Sequence, residues 1–151
     1  MTDILQQEQT ALERFIDLLQ QEQAALVNAD VEALLTLTET KLKLTDQLTA
    51  LAGQRVAMLA RAGFAADAAG VSGWLATQPK MVVDAWHKLL DSAQAAQRVN
   101  QTNGKLIQTH LQHNQQALST LLNASNRANV YGPDGQARTG AAPGQRSIGK
   151  V

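Results

Sequence analysis

The sequence has no cysteine, few aromatic residues and no long apolar run. The absence of cysteine excludes thiol catalysis, disulfide bonds and cysteine-based metal sites. Aromatic residues make up only 3% of the chain, so a core would have to consist of leucine and alanine. No stretch approaches the roughly 18 apolar residues of a bilayer span, and the N-terminus lacks the basic and apolar regions of a signal peptide. We therefore expect a cytoplasmic protein without stable membrane insertion.

Charge and motif content argue against nucleic-acid binding and against catalysis. The net charge is zero, and the basic residues are scattered, with no aromatic platforms beside them. No P-loop, nucleophile elbow, dinucleotide fingerprint or zinc spacing occurs. His110 and His113 lie three residues apart, but no Glu-x-x-His pair accompanies them. We expect a binding protein that uses neither metal nor cofactor.

Apolar periodicity predicts three long helices, over about residues 3–28, 31–62 and 79–127, with a short helical connection near 71–77. Asp30 is a suitable N-cap for the second helix, and Pro79 is tolerated in the first turn of the third. The predicted core contains Leu5, Leu12, Leu19, Leu44, Leu51 and Trp86. Lys41 and Arg55 fall within the stripe of the second helix, where we expect their stems to line a seam while the charges reach water.

These elements predict an all-α fold, either an elongated antiparallel helical hairpin or a three-helix coiled-coil bundle. Residues 1–128 would form the helical domain, and the glycine- and proline-rich residues 129–151 a disordered C-terminal tail. The narrow apolar stripes allow an intramolecular hairpin or a homodimer.

The apolar stripe predicted for the third helix is interrupted by polar residues and a glycine. One heptad position contains Val83, Leu90, Gln97, Gly104, Leu111 and Leu118, and the other contains Trp86, Ala93, Asn100, Ile107, Asn114 and Leu121. Asn100 and Asn103 would place two amides beside Gly104, where another backbone can approach closely. This arrangement has two interpretations, partner binding and control of helix register. Tyr131, before a Pro-Asp-Gly turn, is either a partner anchor or without a role.

The order of several segments resembles the FlgN family of bacterial flagellar export chaperones. The resemblance includes Trp86-His87-Lys88-Leu89-Leu90, the run from Asn100 to Ile107, and the segment Tyr131-Gly132-Pro133-Asp134-Gly135-Gln136. It implies a non-enzymatic type III export chaperone that binds the C-terminal helices of hook-associated (hook-filament junction) proteins. Such a chaperone prevents premature assembly of these proteins and delivers them to the cytoplasmic domain of the flagellar export gate and the export ATPase complex.

The resemblance also implies which residues contact the partners. Substrate would contact the C-terminal part of the third helix at Leu106, Ile107, Leu111, Leu118, Leu121 and Leu122, with Asn100, Asn103 and Gly104 as further candidates. Tyr131 would dock on the export gate. The alternative from a different class is a structural amphipathic coiled coil that coats an apolar granule or membrane surface.

Overall fold

The structure, a computed structural model, describes residues 2–130, with side chains as far as residue 127. The described part is entirely helical outside its turns: α1 (Thr2–Val27), α2 (Val31–Arg61), α3 (Ala68–Leu75) and α4 (Lys80–Val130). The prediction of an all-α fold is confirmed. Of the predicted tail, only Asn129 and Val130 are described, as the last residues of α4; the remainder lies outside the described residues.

Local sequence signals set the helix ends. Asp30 caps α2, because its Oδ1 accepts a hydrogen bond from the backbone N–H of Ala33 at 3.0 Å. Asp67 caps α3 in the same way, with Gly70 N–H donating at 2.7 Å, so α3 begins three residues before the predicted start. Gly63, with φ of 83°, follows α2 and adopts the left-handed conformation that glycine tolerates.

Cross-helix contacts define the directions of the long helices. Glu8 pairs with Arg55 and Glu22 with Lys41, so α2 runs antiparallel to α1. Gln9 donates to Ser92 and Asn103 donates to Glu22, so α4 runs in the same direction as α1. The described contacts between helices lie within the first of two units, Met1–Thr109, and the second unit begins at His110.

The core of the first unit contains residues from all four helices. Its buried members are Leu5, Leu12, Leu19, Leu59, Trp74, Val82, Trp86, Leu89 and Ala96. Leu51 is also buried, whereas Leu44 is only half-buried. The indole rings of Trp74 and Trp86 meet edge to face, with centroids 6.3 Å apart and planes inclined by 72°. This contact joins the short α3 to α4 within the core.

The heptad position predicted from Val83 and Leu90 is wrong within the bundle, because the buried residues of α4 lie one residue earlier. The buried positions are Val82, Leu89, Ala96 and Asn103, whereas Leu90, Gln97 and Gly104 are exposed. Adjacent apolar pairs at 82–83 and 89–90 fit either position equally well, so periodicity alone cannot choose between them.

Candidate partner-binding surfaces

A first polar layer crosses the bundle near the Trp74–Trp86 end. Glu8 on α1 is buried, with 7% of its surface exposed, and both of its carboxylate oxygens accept hydrogen bonds from Arg55 on α2, at 2.9 and 3.3 Å. The guanidinium carbon of Arg55 lies 5.1 Å from the centroid of the Trp86 ring. The planar guanidinium can satisfy the carboxylate and stack on the indole simultaneously. One residue from each long helix thus forms a single charge-compensated layer.

A second polar layer lies two heptads from the first, toward the C-terminal ends of α1 and α4 and toward the N-terminal end of α2. Glu22 is 6% exposed and accepts from Lys41 Nζ at 3.0 and 2.9 Å. Lys41 also donates to Asn100 Oδ1 at 3.0 Å. Asn103 is fully buried, and its Nδ2 donates to Glu22 Oε2 at 2.7 Å and to the Leu19 carbonyl at 2.8 Å.

These layers correct one expectation from the sequence. The charged groups of Lys41 and Arg55 pair with buried carboxylates on α1, and their side chains are only 25% and 21% exposed. The signal was present in the spacing: the glutamates are 14 residues apart, as are the two basic residues. The spacing alone could not predict the ion pairs, because the sequence does not show which residues of α1 and α2 lie opposite each other.

The three residues of the Asn-x-x-Asn-Gly segment lie in different environments. Asn103 is committed to contacts inside the bundle, a placement that favours the register-control interpretation for this residue. Asn100 is exposed apart from its contact with Lys41. Gly104 is also exposed, and a Cβ added to it would meet no atom within 4 Å.

An apolar groove of about 830 Å³ opens on the first unit and is lined by residues of all four helices. Its apolar lining includes Phe15, Leu48, Val71, Leu75, Trp86, Leu89 and Leu90. Thr45 and Thr49 also line it, and each donates its hydroxyl to the carbonyl four residues earlier at 2.8 Å. The hydroxyls are therefore occupied by the helix itself.

The second unit presents apolar side chains of a different kind, on the part of α4 that follows Thr109. Every described side chain from His110 to Arg127 is exposed. Leu111, Leu118, Leu121 and Leu122, which we call the leucine stripe, are between 55% and 67% exposed. Ile107, one turn before Leu111 on the same helix, is also exposed, and Leu106 is half-buried. Clustered exposed leucines of this kind are typical of an interaction surface.

Neither a metal-binding cluster nor a membrane-spanning helix occurs among the described residues. They contain no group of three or more histidine, aspartate or glutamate side chains placed to hold a metal ion. Within residues 2–130, no helix has an apolar stretch long enough to cross a bilayer. Tyr131 lies outside the described residues.

The described residues thus form an all-α fold, and α4 carries exposed leucines after Thr109. A protein-family model described as "FlgN protein" matches residues 1–139, and the chain belongs to the FlgN family. Two curated proteins from Yersinia enterocolitica, both named "Flagella synthesis protein FlgN", are 40% identical over 68 residues; one is from serotype O:8 / biotype 1B. The aligned part spans 45% of this chain and 45% of each relative. No solved structure matches the chain.

Proposed function

We propose that this protein is a cytoplasmic export chaperone for flagellar hook-associated proteins. Family membership supports the flagellar context, and the leucine stripe supports the chaperone mechanism. The observation that carries the proposal is that every described side chain from His110 to Arg127, including the four leucines of the stripe, is exposed. An isolated helix of this length is marginally stable in water, so a ligand that covers the stripe would stabilise the helix and bury apolar surface together.

The ligand is a C-terminal helix of a hook-associated protein. Such a helix would lie against Leu111, Leu118, Leu121 and Leu122 and extend toward Ile107. Covering its apolar face prevents premature assembly, because the same face would otherwise pack against other subunits. The ordering entropy of a mobile terminus limits the affinity, which permits release at the export gate. No catalytic step or cofactor is required.

The leucine stripe can be tested with one double variant and a matched control. Leu118→Asp/Leu121→Asp should weaken binding of the C-terminal helical segment of a hook-associated protein by at least about 100-fold, because two apolar contacts are lost. Gln112→Asp/Gln116→Asp introduces the same charge on another face of α4 and should change affinity by less than about threefold. Isothermal titration calorimetry gives both affinities. Equal binding by a folded leucine double variant would refute the proposal.

Delivery to the export gate is a separate part of the proposal and depends on Tyr131. Tyr131→Ala should leave binding to the hook-associated segment unchanged and weaken binding to the cytoplasmic domain of the gate. Pull-down of preformed chaperone–substrate complex on immobilised gate domain measures this step. If the parent chain and the variant are retained equally, Tyr131 has no part in docking.

Asn103 is buried inside the bundle, so the proposed contact of the Asn-x-x-Asn-Gly segment with substrate rests on Asn100 and Gly104. Gly104→Leu tests the segment most directly, since its Cβ position is open. A substrate that approaches the backbone at Gly104 would bind this variant more weakly, whereas unchanged affinity would restrict the surface to the leucines.

A further inference from the structure

The apolar groove of the first unit contains one polar group with an unused hydrogen-bond donor. Arg55 lines the groove, and its side chain is 21% exposed. Its Nε and Nη2 donate to Glu8, whereas its Nη1 has no acceptor among the residues that the structure describes. A guanidinium donates and never accepts, so Nη1 suits an oxygen of a ligand. Because Glu8 already compensates the charge of Arg55, a neutral oxygen is sufficient.

The groove has the length of a short helical segment. On its α2 wall the lining extends from Thr45 to Arg55, ten residues or about 15 Å along the helix axis. Thr45, Thr49 and Ala52 present short side chains on this wall, so another helix can approach it closely. Of the charged lining residues, Glu8 and Arg55 pair with each other and Asp67 is exposed. An apolar, uncharged helix face therefore fits this groove.

The leucine stripe of the second unit has the corresponding properties. It extends from Leu111 to Leu122, about 16 Å along the helix axis. At about 100° per residue its four leucines fall within an arc about 100° wide, and Asn114 lies inside this arc. Residues 106–126 contain no aspartate, glutamate, lysine or arginine. The stripe thus offers aliphatic side chains together with a neutral amide oxygen.

We propose that the groove binds the leucine stripe of a second copy of this chain. The leucines cover the apolar lining, and the amide oxygen of Asn114 accepts a hydrogen bond from Arg55 Nη1. Asn114 lies near the N-terminal end of the stripe, and Arg55 lies at one end of the groove lining on α2. The bound stripe therefore runs from Arg55 toward Thr45, antiparallel to α2. No unpaired ion is buried in this contact.

Self-association through this contact goes beyond the proposed function and stands without it. It covers exposed leucines that would otherwise remain in water. Where both proposals hold, a hook-associated protein and the second copy compete for the same leucines, so substrate binding separates the copies.

Sedimentation velocity on the full-length chain, from micromolar to submillimolar concentration, should show concentration-dependent association. Leu118→Asp/Leu121→Asp alters the stripe, and Thr45→Glu/Thr49→Glu places two carboxylates in the groove at exposed positions. Each double variant should weaken association by at least about tenfold, because a carboxylate would be buried without a partner.

Thr36→Glu/Thr40→Glu is the matched control for the groove variant. These threonines lie on the same helix, are also exposed and also donate to the carbonyl four residues earlier, but they do not line the groove. The control should change association by less than about threefold.

Mixing the two disrupted variants distinguishes this contact from direct pairing of two stripes. Leu118→Asp/Leu121→Asp retains an intact groove, and Thr45→Glu/Thr49→Glu retains an intact stripe. Their mixture should therefore associate more tightly than either variant alone. A monomeric parent chain, an unaffected groove variant, or a mixture no tighter than its components would overturn the inference.

The predicted direction depends on Asn114. Asn114→Ala should weaken association about threefold to tenfold, because Arg55 Nη1 loses its acceptor. Asn123→Ala, on another face of α4, should leave association unchanged. Equal association of these two variants would overturn the Asn114–Arg55 contact.

The C-terminal segment of a hook-associated protein forms a separate arm of the experiment. If it binds a parent chain that stays monomeric, the export-chaperone function stands and the self-association fails. If the chain self-associates with the expected pattern of variants but does not bind the segment, the self-association stands and the proposed substrate is wrong.

Discussion

Replacing Lys41 with methionine tests whether the second polar layer holds the bundle together. The substitution keeps an apolar stem of similar length but removes the ammonium group that contacts both oxygens of Glu22. Removing one partner of a fully buried ion pair costs about 3–5 kcal/mol. The Lys41 side chain is 25% exposed and Asn103 still donates to Glu22, so we expect a smaller loss of about 2 kcal/mol.

Urea denaturation followed by circular dichroism measures this loss as a change in the free energy of unfolding. A loss of about 2 kcal/mol corresponds to a decrease of about 4–8 °C in melting temperature for a chain of this size. Lys43→Met is the matched control, because Lys43 makes an exposed pair with Glu39 on the same helix. The control should change stability by less than about 0.5 kcal/mol.

A double-mutant cycle measures the coupling between Glu22 and Lys41. In Glu22→Gln/Lys41→Met no charge remains in the layer, so the double variant should be more stable than Lys41→Met alone. Additive effects of the two substitutions, or a Lys41→Met variant as stable as Lys43→Met, would show that water compensates the Glu22 carboxylate and that the layer is not a structural unit.

Four further outcomes follow from the geometry. Ala29→Gly should stabilise the chain by about 1 kcal/mol in urea denaturation, because Ala29 has a φ of 53° that glycine adopts more easily. Gly104→Ala should raise the helix content measured by circular dichroism and add up to about 1 kcal/mol of helix stability, since its Cβ position is open. Trp74→Ala should cost about 3–5 kcal/mol of unfolding free energy, because it removes a buried ring from the core. In hydrogen exchange, amides of residues 110–127 should exchange much faster than those of 82–103, and a ligand should slow them.

Local chemistry made much of the fold predictable from the sequence. Asp30 marks the start of α2 through a side-chain hydrogen bond that depends only on neighbouring residues. The leucines of α1 recur every seven residues from Leu5 to Leu26 and identify its buried face, and the apolar residues directly before them, such as Leu18, lie on the same face. The all-α prediction therefore needed no information about tertiary contacts.

The unpredicted features depend on which residues of different helices lie opposite each other. Glu8 and Glu22 are ordinary polar positions in the sequence, and only the α1–α2 register places Arg55 and Lys41 beside them. Likewise, either of two adjacent apolar positions could have formed the buried face of α4. The leucines beyond Asn103 are exposed in the structure, and their role in partner binding stays a prediction.

The two polar layers have a consequence for how related sequences would be expected to diverge. Sliding α2 along α1 by one heptad would place Leu48 opposite Glu8 and Leu34 opposite Glu22, so two carboxylates would lose their counter-charges while the leucines stayed matched to an apolar face. Each layer therefore favours a single register of α2 against α1. In related sequences, an acidic residue on α1 and its basic partner on α2 should therefore change together. A sequence with only one of the two replaced would have an unpaired charge in the bundle and would be less stable than either paired form.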